Sequence, residues 1–392
     1  TSWIVGGATI VGSSSTLYVA NPGNTTVNVK VTAWGASGEI SLPSDGQLSI
    51  APGKATQLAL ENSADADPQL ALRVQAEGGR VAAWVASQKL DGESAAGSDI
   101  ITSTASAGTS LTIGALSIDK AASQITPQAA AADAAATPSP SAAASATATP
   151  SAKASAKASA KASSAAKASA TPSAKASAKA TAKPSATATP SATATTAAAT
   201  PSPSASADSL DLSGALNEPR LRVLNPGDKT AHVKVTLLGK SGPVQFAPAS
   251  GLNVKAGQVA DLPLGGLAQG TYGVKIDSDQ PVSAAALSTS QGSEYPELSG
   301  QHIHDFTWSQ AQTGQGGVAM LPRQDVTSQL LLTNPSAKSK QVTLSAIGSN
   351  WTSTLTLPAL STQVAQVPES VQAVSVSGAV PATLVSRETS GD

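Results

Sequence analysis

The segment His302-Ile303-His304-Asp305 holds the side chains whose types and spacing come nearest to a reactive site. Two histidines at i and i+2 point to one face of a strand, where they could bind a metal ion with a third ligand from elsewhere. His302, His304 and Asp305 are therefore the candidate metal ligands. The chain has three histidines, and no His recurs at equivalent positions of the repeat described below. An exposed strand before the third repeat explains the segment without a metal, and we expect no cofactor.

Tryptophan side chains are the second group that could bind a ligand, because an exposed indole ring stacks on a sugar ring. Trp34 recurs as Leu238 and Ile347 in the repeat, which predicts a core position. Trp84 lies in a predicted strand and Trp351 has no counterpart in the repeat. Trp84 and Trp351 are thus the candidate ligand-binding residues, and ordinary core or surface packing is the alternative for both.

Motifs of the common enzyme classes are absent from the sequence. It has no His-Glu-x-x-His, no Gly-x-Ser-x-Gly, no phosphate loop and no dinucleotide-binding turn between a strand and a helix. A carboxylate pair of the glycosidase type is not recognisable from spacing along the chain, but acidic residues are sparse. We expect no catalytic residues and no enzyme activity.

Three copies of one pattern organise the rest of the chain. Asn21-Pro22-Gly23, Asn225-Pro226-Gly227 and Asn334-Pro335-Ser336 each lie between two alternating apolar runs. Apolar residues recur four and two residues before each Asn, and again eight and ten residues after it. Asn-Pro-Gly predicts a type II turn with the Gly at positive φ, whereas Ser in the third copy favours a type I turn. The turn would join its two strands as a hairpin or as a corner.

Period-two alternation between Gly, Pro, Asn and Asp residues predicts short, half-buried antiparallel strands. Six or seven such strands in about 100 residues are typical of an immunoglobulin-like sandwich. The predicted fold class is all-β, with three tandem immunoglobulin-like β-sandwich modules and one long disordered insertion. In the first module the predicted strands are Ser15–Ala20, Val27–Trp34, Gln47–Ala51, Thr56–Leu60, Leu70–Ala76 and Val81–Ser87.

A low-complexity tether separates the first two Asn motifs. Residues 129–207 contain only Ala, Ser, Thr, Pro, Lys and Asp133, and such a composition cannot form a packed core, which predicts disorder. Asn225 follows Asn21 by 204 residues, whereas Asn334 follows Asn225 by only 109. We infer that the tether is inserted inside the second module, after its first strand; a plain linker between modules is the alternative. The predicted divisions are module 1 at 1–98, module 2 at 99–120 plus 208–304, the tether at 121–207, and module 3 at 305–392.

Charge and composition restrict the partners and the compartment. The net charge is −1, but the tether carries seven Lys and one Asp, which leaves the folded part with a charge near −7. This is unlike a nucleic-acid-binding domain, and we expect no nucleic-acid partner. The absence of Cys rules out disulfides and thiolate metal sites, and no apolar run reaches the roughly 20 residues of a transmembrane segment. The chain starts at Thr1, which is compatible with a removed N-terminal signal or anchor, and we expect export.

The sequence resembles a known family at the repeated motifs. A short strand, Asn-Pro-Gly, a Val-rich strand and Ala51-Pro52-Gly53 resemble bacterial surface modules of the immunoglobulin type. With its tether, the whole chain resembles an uncharacterised family of exported actinobacterial proteins, a domain of unknown function (DUF5719-like). The resemblance implies an extracytoplasmic, envelope-associated role and names neither a ligand nor a catalytic residue.

These observations predict a non-catalytic structural, scaffold or interaction protein of the bacterial cell envelope. Its expected partners are envelope proteins or cell-wall glycans. A carbohydrate- or wall-polymer-binding adhesion protein that uses exposed aromatic residues is the alternative, and a secreted glycan hydrolase is a remote one. The tether itself is either an inert spacer, an O-glycosylated stalk or a Lys-bearing tract that contacts anionic polymer.

Overall fold

The computed structural model describes residues 1–61, 66–91, 94–104, 107–124, 218–295, 298–313, 316–322 and 326–388. These residues form a nearly all-β protein with several sheets, which confirms the all-β class that the sequence predicts. The helical elements in this part are one short α-helix, α1 (Lys120–Ser123), and two 3₁₀ turns, Pro43–Gly46 and Ala247–Ser250. The tether predicted for 121–207 lies outside the described residues except for its first four positions.

Module 1 is a sandwich of two antiparallel sheets. Its strands are β1 (Ser2–Val5), β2 (Ser13–Ala20), β3 (Val27–Gly35), β4 (Gly38–Ile40), β5 (Gln47–Ile50), β6 (Ala55–Ala59), β7 (Ala71–Glu77), β8 (Ala82–Asp91) and β9 (Ser94–Thr102). One sheet has the order β1-β7-β3-β4, with β5 also paired to β3, and the other has the order β6-β2-β8-β9. All six strands predicted for this module are confirmed within a few residues at each end.

Module 2 repeats this arrangement with one difference, a single strand that passes through both sheets. Its strands are β10 (Gly108–Ile118), β11 (Arg220–Asn225), β12 (Ala231–Gly239), β13 (Gly242–Val244), β14 (Leu252–Val254), β15 (Gln258–Pro263), β16 (Gly270–Tyr295) and β17 (Leu298–Gln310). The first part of β16 pairs with β10 and β12, and the second part pairs with β11 and β17. The eight strands are therefore hydrogen-bonded into one folded-over sheet.

Module 3 is a smaller version of the same sandwich. Its strands are β18 (Gly317–Met320), β19 (Val326–Asn334), β20 (Lys340–Ala346), β21 (Thr352–Leu357), β22 (Ser361–Ala365), β23 (Ala373–Ser377) and β24 (Ala382–Glu388). A four-stranded sheet has the order β18-β23-β20-β21 and a three-stranded sheet has the order β22-β19-β24.

The central strands pair in corresponding ways in all three modules, although module 3 as described has no edge strand that corresponds to β9 or β17. We call the sheet that contains the first strand of a module (β1, β10 or β18) its opening sheet. The other sheet contains the strand that leads into the repeated Asn (β2, β11 or β19), and we call it the Asn sheet. In each module the Asn-sheet strand pairs on one side with β6, β15 or β22 and on the other with β8, β16 or β24. The equivalence of the three sequence repeats is thus an equivalence of topology.

Alternating apolar residues place one face of every sheet inside a sandwich. In β12, Val233, Val235 and Leu237 are buried between the sheets of module 2, whereas His232 and Lys234 are exposed. Burial of each such aliphatic side chain contributes about 1.5–3 kcal/mol to folding, and the period of two ensures that they share a face. Module 3 has its own cluster of buried aliphatic residues, built in the same way.

The repeated Asn side chain holds the corner between the two sheets. The amide of Asn21 donates hydrogen bonds to the carbonyls of Thr25 at 2.8 Å and Ile50 at 2.9 Å, and its Oδ1 accepts the Gly23 N–H at 2.9 Å. Asn225 and Asn334 make the same set of contacts, and all three are buried. The chain turns from the Asn sheet into the opening sheet at this point, so the motif is a corner and not a hairpin.

The predicted type II turn at this corner is wrong. Neither Gly23 nor Gly227 has a positive φ, because the Asn side chain closes the turn in place of a backbone carbonyl. The residue after the Pro is small because of its distance from the Asn side chain and not because of its backbone conformation. A Cβ on Gly23 would lie 3.1 Å from Asn21 Oδ1, a tight fit that the third module accommodates with Ser336.

The modules pack with their sheets face to face. The outer face of the opening sheet of module 1 contacts the outer face of the Asn sheet of module 2, through β1, β3 and β4 against β11, β15 and β17. The opening sheet of module 2 contacts the Asn sheet of module 3 in the same sense, through β10 and β12 against β19, β22 and β24. The face-to-face sheet contact is therefore used twice, and the first junction adds a contact between the edge strands β9 and β17.

The described chain on the two sides of the tether meets at one loop of module 2. The carbonyl of Ala122 in α1 accepts a hydrogen bond from Gly266 N at 3.1 Å, and the carbonyl of Pro219 accepts one from Leu264 N at 2.8 Å. Ala122 also belongs to the buried cluster of module 2, so the folded chain extends to the end of α1. The strand before the tether and the strand after it contribute to that same cluster, through Leu111 and Leu221.

The module divisions predicted at 98/99 and 304/305 fall inside strands. β9 pairs with β8 as far as Thr102, and β17 pairs with β16 as far as Gln310. Each of these strands lies at the edge of an Asn sheet and leads into the opening strand of the next module. The division of the chain into modules at those positions stays a prediction.

Candidate functional site

The junction between modules 1 and 2 is organised by a buried arginine, Arg222 of β11. Its guanidinium donates to the carbonyls of Gly7 at 2.6 Å and Pro68 at 2.8 Å, both in module 1. It also donates to both carboxylate oxygens of Asp261, at 2.8 and 2.9 Å, and lies over the ring of Trp308 at 4.7 Å. A buried charge with a bidentate partner and two carbonyl acceptors is well compensated, so Arg222 connects the two modules.

A small cavity lies beside Arg222. Its lining is shared between module 1 and module 2 and comprises Gly7, Ala8, Ser13, Pro68, Ser87, Lys89, Arg220, Arg222, Leu287, Phe306 and Trp308. The cavity volume is about 20 Å³, which admits a water-sized molecule, whereas pockets for organic ligands are typically about 300–1,000 Å³. This cavity is too small to bind a sugar or a nucleotide.

Burial shifts the pKa values of Arg220, which lines the cavity, and of the nearby Glu218 toward the neutral forms. Desolvation lowers the pKa of Arg220, although the carboxylate of Asp261 at 3.6 Å partly opposes this effect. Desolvation likewise raises the pKa of Glu218, against the attraction of Arg220. Arg220 Nη2 and Glu218 Oε1 are buried and have no hydrogen-bond partner among the described residues. These groups belong to the junction, beside a cavity that is too small for a substrate.

A carboxylate of module 1 completes the junction on its other side. Asp99 of β9 accepts the backbone N–H of Trp308 at 2.7 Å and the hydroxyl of Thr307 at 3.4 Å. Burial outweighs these hydrogen bonds and raises the pKa of Asp99 to about 6. The side-chain amide of Gln310 adds two further bonds, to the backbone N–H and carbonyl of Val5, at 3.0 and 2.7 Å.

The junction between modules 2 and 3 uses glycines in place of an arginine. A Cβ on Gly114 would lie 2.1 Å from Thr383 Oγ1, and a Cβ on Gly273 would lie 2.3 Å from Thr362 Oγ1. The absence of side chains there lets the Asn sheet of module 3 approach the opening sheet of module 2. Thr333 Oγ1 donates to the carbonyl of Gly114 at 3.1 Å, a hydrogen bond between the two modules.

Trp34 is buried for a reason that differs from the predicted one. It follows Val31 and Ala33 in β3 but lies on the opposite, outer face of the opening sheet, stacked on Trp3 with ring centroids 6.0 Å apart. Module 2 covers this face. Its equivalent Ile347 in module 3 is exposed, so the recurring large residue marks the contact between modules and not the interior of one.

The predicted metal ligands lie on β17, and no complete metal site forms around them. His302 is opposite Glu294 and His304 is opposite Gln291 in β16, and His302 Nδ1 is 3.2 Å from the carbonyl oxygen of Gly292. Across the described part of the chain, no group of three or more His, Cys, Asp or Glu side chains is arranged to hold a metal ion. His232 lies elsewhere, 2.7 Å from Asp279, and this hydrogen bond lowers the pKa of Asp279.

The predicted aromatic residues lie in different modules. Trp84 is half-buried on the outer face of the Asn sheet of module 1, stacked on Tyr18 with centroids 5.6 Å apart and an interplanar angle of 6°. Trp351 precedes β21 and packs against the buried cluster of module 3, and its carbonyl accepts a bond from Ala346 N. Trp84 is thus available at a surface, whereas Trp351 contributes to packing.

Sequence reasoning missed Arg222, Asp99 and the two junction glycines. A signal for Arg222 was present, because it occupies the same repeat position as Tyr18 and Leu331, three residues before the Asn. A charged residue at a strand position that is apolar or aromatic in the other copies indicates a contact that differs between modules. Gly114 and Gly273 carried no such signal, because glycine within a strand has several explanations.

A profile described as "Family of unknown function (DUF5719)" matches residues 1–195 and 187–368. The chain belongs to this family. The first DUF5719 match contains module 1 and the opening strand of module 2, and the second contains the rest of module 2 and most of module 3. The boundary between the two matches therefore falls within the tether. No curated protein and no solved structure matches the chain.

Proposed function

We propose that this DUF5719 protein is a non-catalytic scaffold or interaction protein of the bacterial cell envelope that acts outside the cytoplasm. It holds the outer faces of three immunoglobulin-like sandwiches in a fixed order, so that envelope proteins or wall glycans bind at set positions. Nucleic acid is not among the proposed partners.

One observation carries this proposal. Both junctions between modules are buried, and each is joined by specific polar contacts: Arg222 to Gly7 and Pro68, and Thr333 to Gly114. Flexibly joined domains share small, polar interfaces and move relative to one another, whereas at the first junction Trp3 and Trp34 of module 1 and Trp308 of module 2 belong to one hydrophobic cluster. Junctions of the present kind support a protein whose task is to fix the positions of its modules.

The envelope assignment rests on sequence features. The Ala/Ser/Thr/Pro/Lys tract is typical of spacers in exported proteins. The repeated motifs resemble bacterial surface modules of the immunoglobulin type, and the whole chain resembles a family of exported actinobacterial proteins. Among the described residues no helix has the length and apolar character needed to cross a bilayer.

Cell fractionation combined with a junction variant tests the proposal. The full-length protein should appear in the envelope or secreted fraction, and crosslinking should recover an envelope protein or wall polymer. Gly273→Val, which separates module 3 from module 2, should reduce that recovery while modules 1 and 2 stay folded by hydrogen exchange. A wild-type protein confined to the cytoplasmic fraction, or recovery that is unchanged in Gly273→Val, would contradict it.

A second candidate function is binding of wall carbohydrate at the Tyr18–Trp84 pair. The observation behind it is that the stacked rings of Tyr18 and Trp84 lie on the outer face of the Asn sheet of module 1. A sugar ring could stack on the exposed indole there, and the stacking between the two rings already holds the indole in place. In sedimentation assays with purified wall polymer, Trp84→Ala should lose binding. Trp308→Ala, which removes an indole that is buried at the junction, is the matched control and should keep it as long as modules 1 and 2 remain folded.

A further inference from the structure

The opening sheet of module 3 exposes large apolar residues at positions that are covered in the other two modules. Trp34, Leu238 and Ile347 each lie thirteen residues after the repeated Asn. The first two are buried beneath the following module, whereas Ile347 is 53% exposed. The position thus marks the contact between successive modules, and in module 3 that contact has no partner within the chain.

Two neighbouring positions show the same difference. Val318 pairs with Ser375 in the way that Trp3 pairs with Arg73 in module 1, yet Val318 is 64% exposed and Trp3 is buried. Met320, the equivalent of the buried Val5, is 67% exposed. Three of the most exposed large apolar side chains of the described chain therefore share one face, which we call the module 3 face.

The Asn sheet of module 1 presents the complementary half of the contact. Ile100 pairs with Ala86 as Trp308 pairs with Leu287 in module 2. Trp308 is buried against module 1, but Ile100 is 65% exposed. On the same surface, Tyr18 is half-buried whereas its equivalent Arg222 is fully buried. We call this surface, which comprises Tyr18, Trp84, Ile100 and their neighbours, the module 1 face.

Among the described residues, neither face carries a charged side chain at its outward strand positions. On the module 1 face, the outward residues that pair with Tyr18 and Trp84 are Gln57 and Thr102. Glu61 is at the rim beside Ser14, and Asp99 is directed toward Trp308 of module 2. On the module 3 face, the outward residues of β20 and β21 are Gln341 and a run of Thr and Ser residues. A scarcity of charged residues at the centre of a surface is characteristic of the core of a protein interface. Exposed apolar sheet faces indicate docking sites.

The geometry points to head-to-tail association of the chain, in which the module 3 face of one copy binds the module 1 face of another. The contact would repeat the one that joins modules 1 to 2 and 2 to 3, with Ile100 of the second copy in the place that Trp308 occupies within the chain. A second copy is the occupant that fits, because the same chain carries both halves of the contact. Since the two faces differ, the contact is heterologous and generates open chains or rings. This association does not depend on the envelope role.

Mixing two complementary variants of the full-length protein tests the inference. Ile100→Asp introduces a carboxylate into the module 1 face and Met320→Asp introduces one into the module 3 face, and each should weaken self-association roughly tenfold or more. Each variant keeps one intact face. An equimolar mixture should therefore form a discrete complex of two chains of 38.4 kDa each, measured by light scattering after gel filtration and by sedimentation velocity.

Val11→Asp is the matched control, because Val11 is 98% exposed and lies outside both faces; it should associate like the wild type. If Met320→Asp disturbs module 3, as judged by thermal unfolding, Ile347→Asp replaces it. A wild-type protein that stays monomeric at high concentration overturns the inference. The inference is also overturned if the mixture forms no two-chain complex, or if only one of the two variants loses self-association. Either result would indicate a different contact. None of these outcomes bears on the fractionation experiment.

Discussion

Arg222 in the second module donates a 2.6 Å hydrogen bond to the carbonyl oxygen of Gly7 in the first. The two residues are 215 positions apart in the chain, on opposite sides of the tether. The guanidinium is compensated by Asp261 within its own module, so the bond to Gly7 uses a group that is already fixed. The position of module 2 against module 1 is therefore fixed by specific side chains, of which Arg222 is one.

We expect Arg222→Met to destabilise the junction between modules 1 and 2 by about 2–4 kcal/mol. The substitution leaves the Gly7 and Pro68 carbonyls without donors and removes the bidentate partner of the buried Asp261 carboxylate. Urea unfolding of the full chain would measure the loss. Arg80→Met, at an exposed arginine, is the control and should change stability by less than about 0.5 kcal/mol. Equal effects of the two substitutions would show that Arg222 does not hold the junction.

Replacement of any of the three corner asparagines should destabilise its own module by about 2–4 kcal/mol. In Asn225→Ala, the carbonyls of Lys229 and Val254 and the N–H of Gly227 all lose the side chain that satisfies them. Hydrogen exchange followed by mass spectrometry would locate the weakened module. Asn24→Ala changes an exposed asparagine and should leave the free energy of unfolding almost unchanged. A loss of stability as large as that of Asn225→Ala would show that the corner position has no special role.

Gly273→Val should separate module 3 from module 2 at a cost of about 2–4 kcal/mol. The added atoms cannot fit beside Thr362 and Thr333, and strained overpacking of this kind is strongly destabilising. Limited proteolysis should then release module 3, and its thermal transition should become separate. Gly251→Val is the control, since Gly251 has an extended backbone and open space around its Cα. Retention of one cooperative transition in Gly273→Val would disprove the close packing.

The raised pKa of Asp99 predicts a specific pH dependence of stability. Between about pH 4 and pH 6 the folded protein retains a proton on Asp99 that the unfolded chain has released. Stability therefore falls as the pH rises through this window, by up to about 3 kcal/mol. Asp99→Asn resembles the protonated form and should be more stable than the wild type at pH 7, with the difference vanishing near pH 4.

Denaturant unfolding of wild type and Asp99→Asn across this pH range provides the measurement. Asp228→Asn, at an exposed carboxylate, should show a difference from the wild type that hardly changes with pH. If the Asp99→Asn difference is equally flat, the carboxylate is not desolvated at the junction.

The pattern of the sequence was sufficient to predict the modules but not their contacts. Strands such as β3 and β8 were recognisable because alternating residues face one interior, and the Asn motif identified the repeats. The junctions were not recognisable from the sequence. A large apolar residue such as Trp34 or Leu238 fits equally well with a side chain that faces into its own module and with one that faces the next module. Only the third copy, Ile347, distinguishes the two interpretations, and it does so through its exposure.

Chemistry was predicted less well than architecture for a related reason. His302 and His304 share a strand, but whether a third ligand approaches them depends on the packing of distant elements. The bonds of Arg222 to Gly7 and Pro68 and of Asp99 to Trp308 form only because two modules meet. The repeat position of Arg222 hints at such a contact, but it does not identify the partner residues. Trp84 was identified because its counterparts in the repeat, Ala285 and Thr383, are not large apolar residues, which indicates a position outside the shared core.

The chain on either side of the tether is anchored within one loop of module 2, at Gly266 and Leu264. The distance that the segment between them has to bridge is therefore set by the loop and is independent of how many residues the segment contains. Closure of a flexible loop becomes only about 0.6 kcal/mol less favourable with each doubling of its length. Expansion or contraction of this segment during evolution would thus leave the folded modules almost untouched.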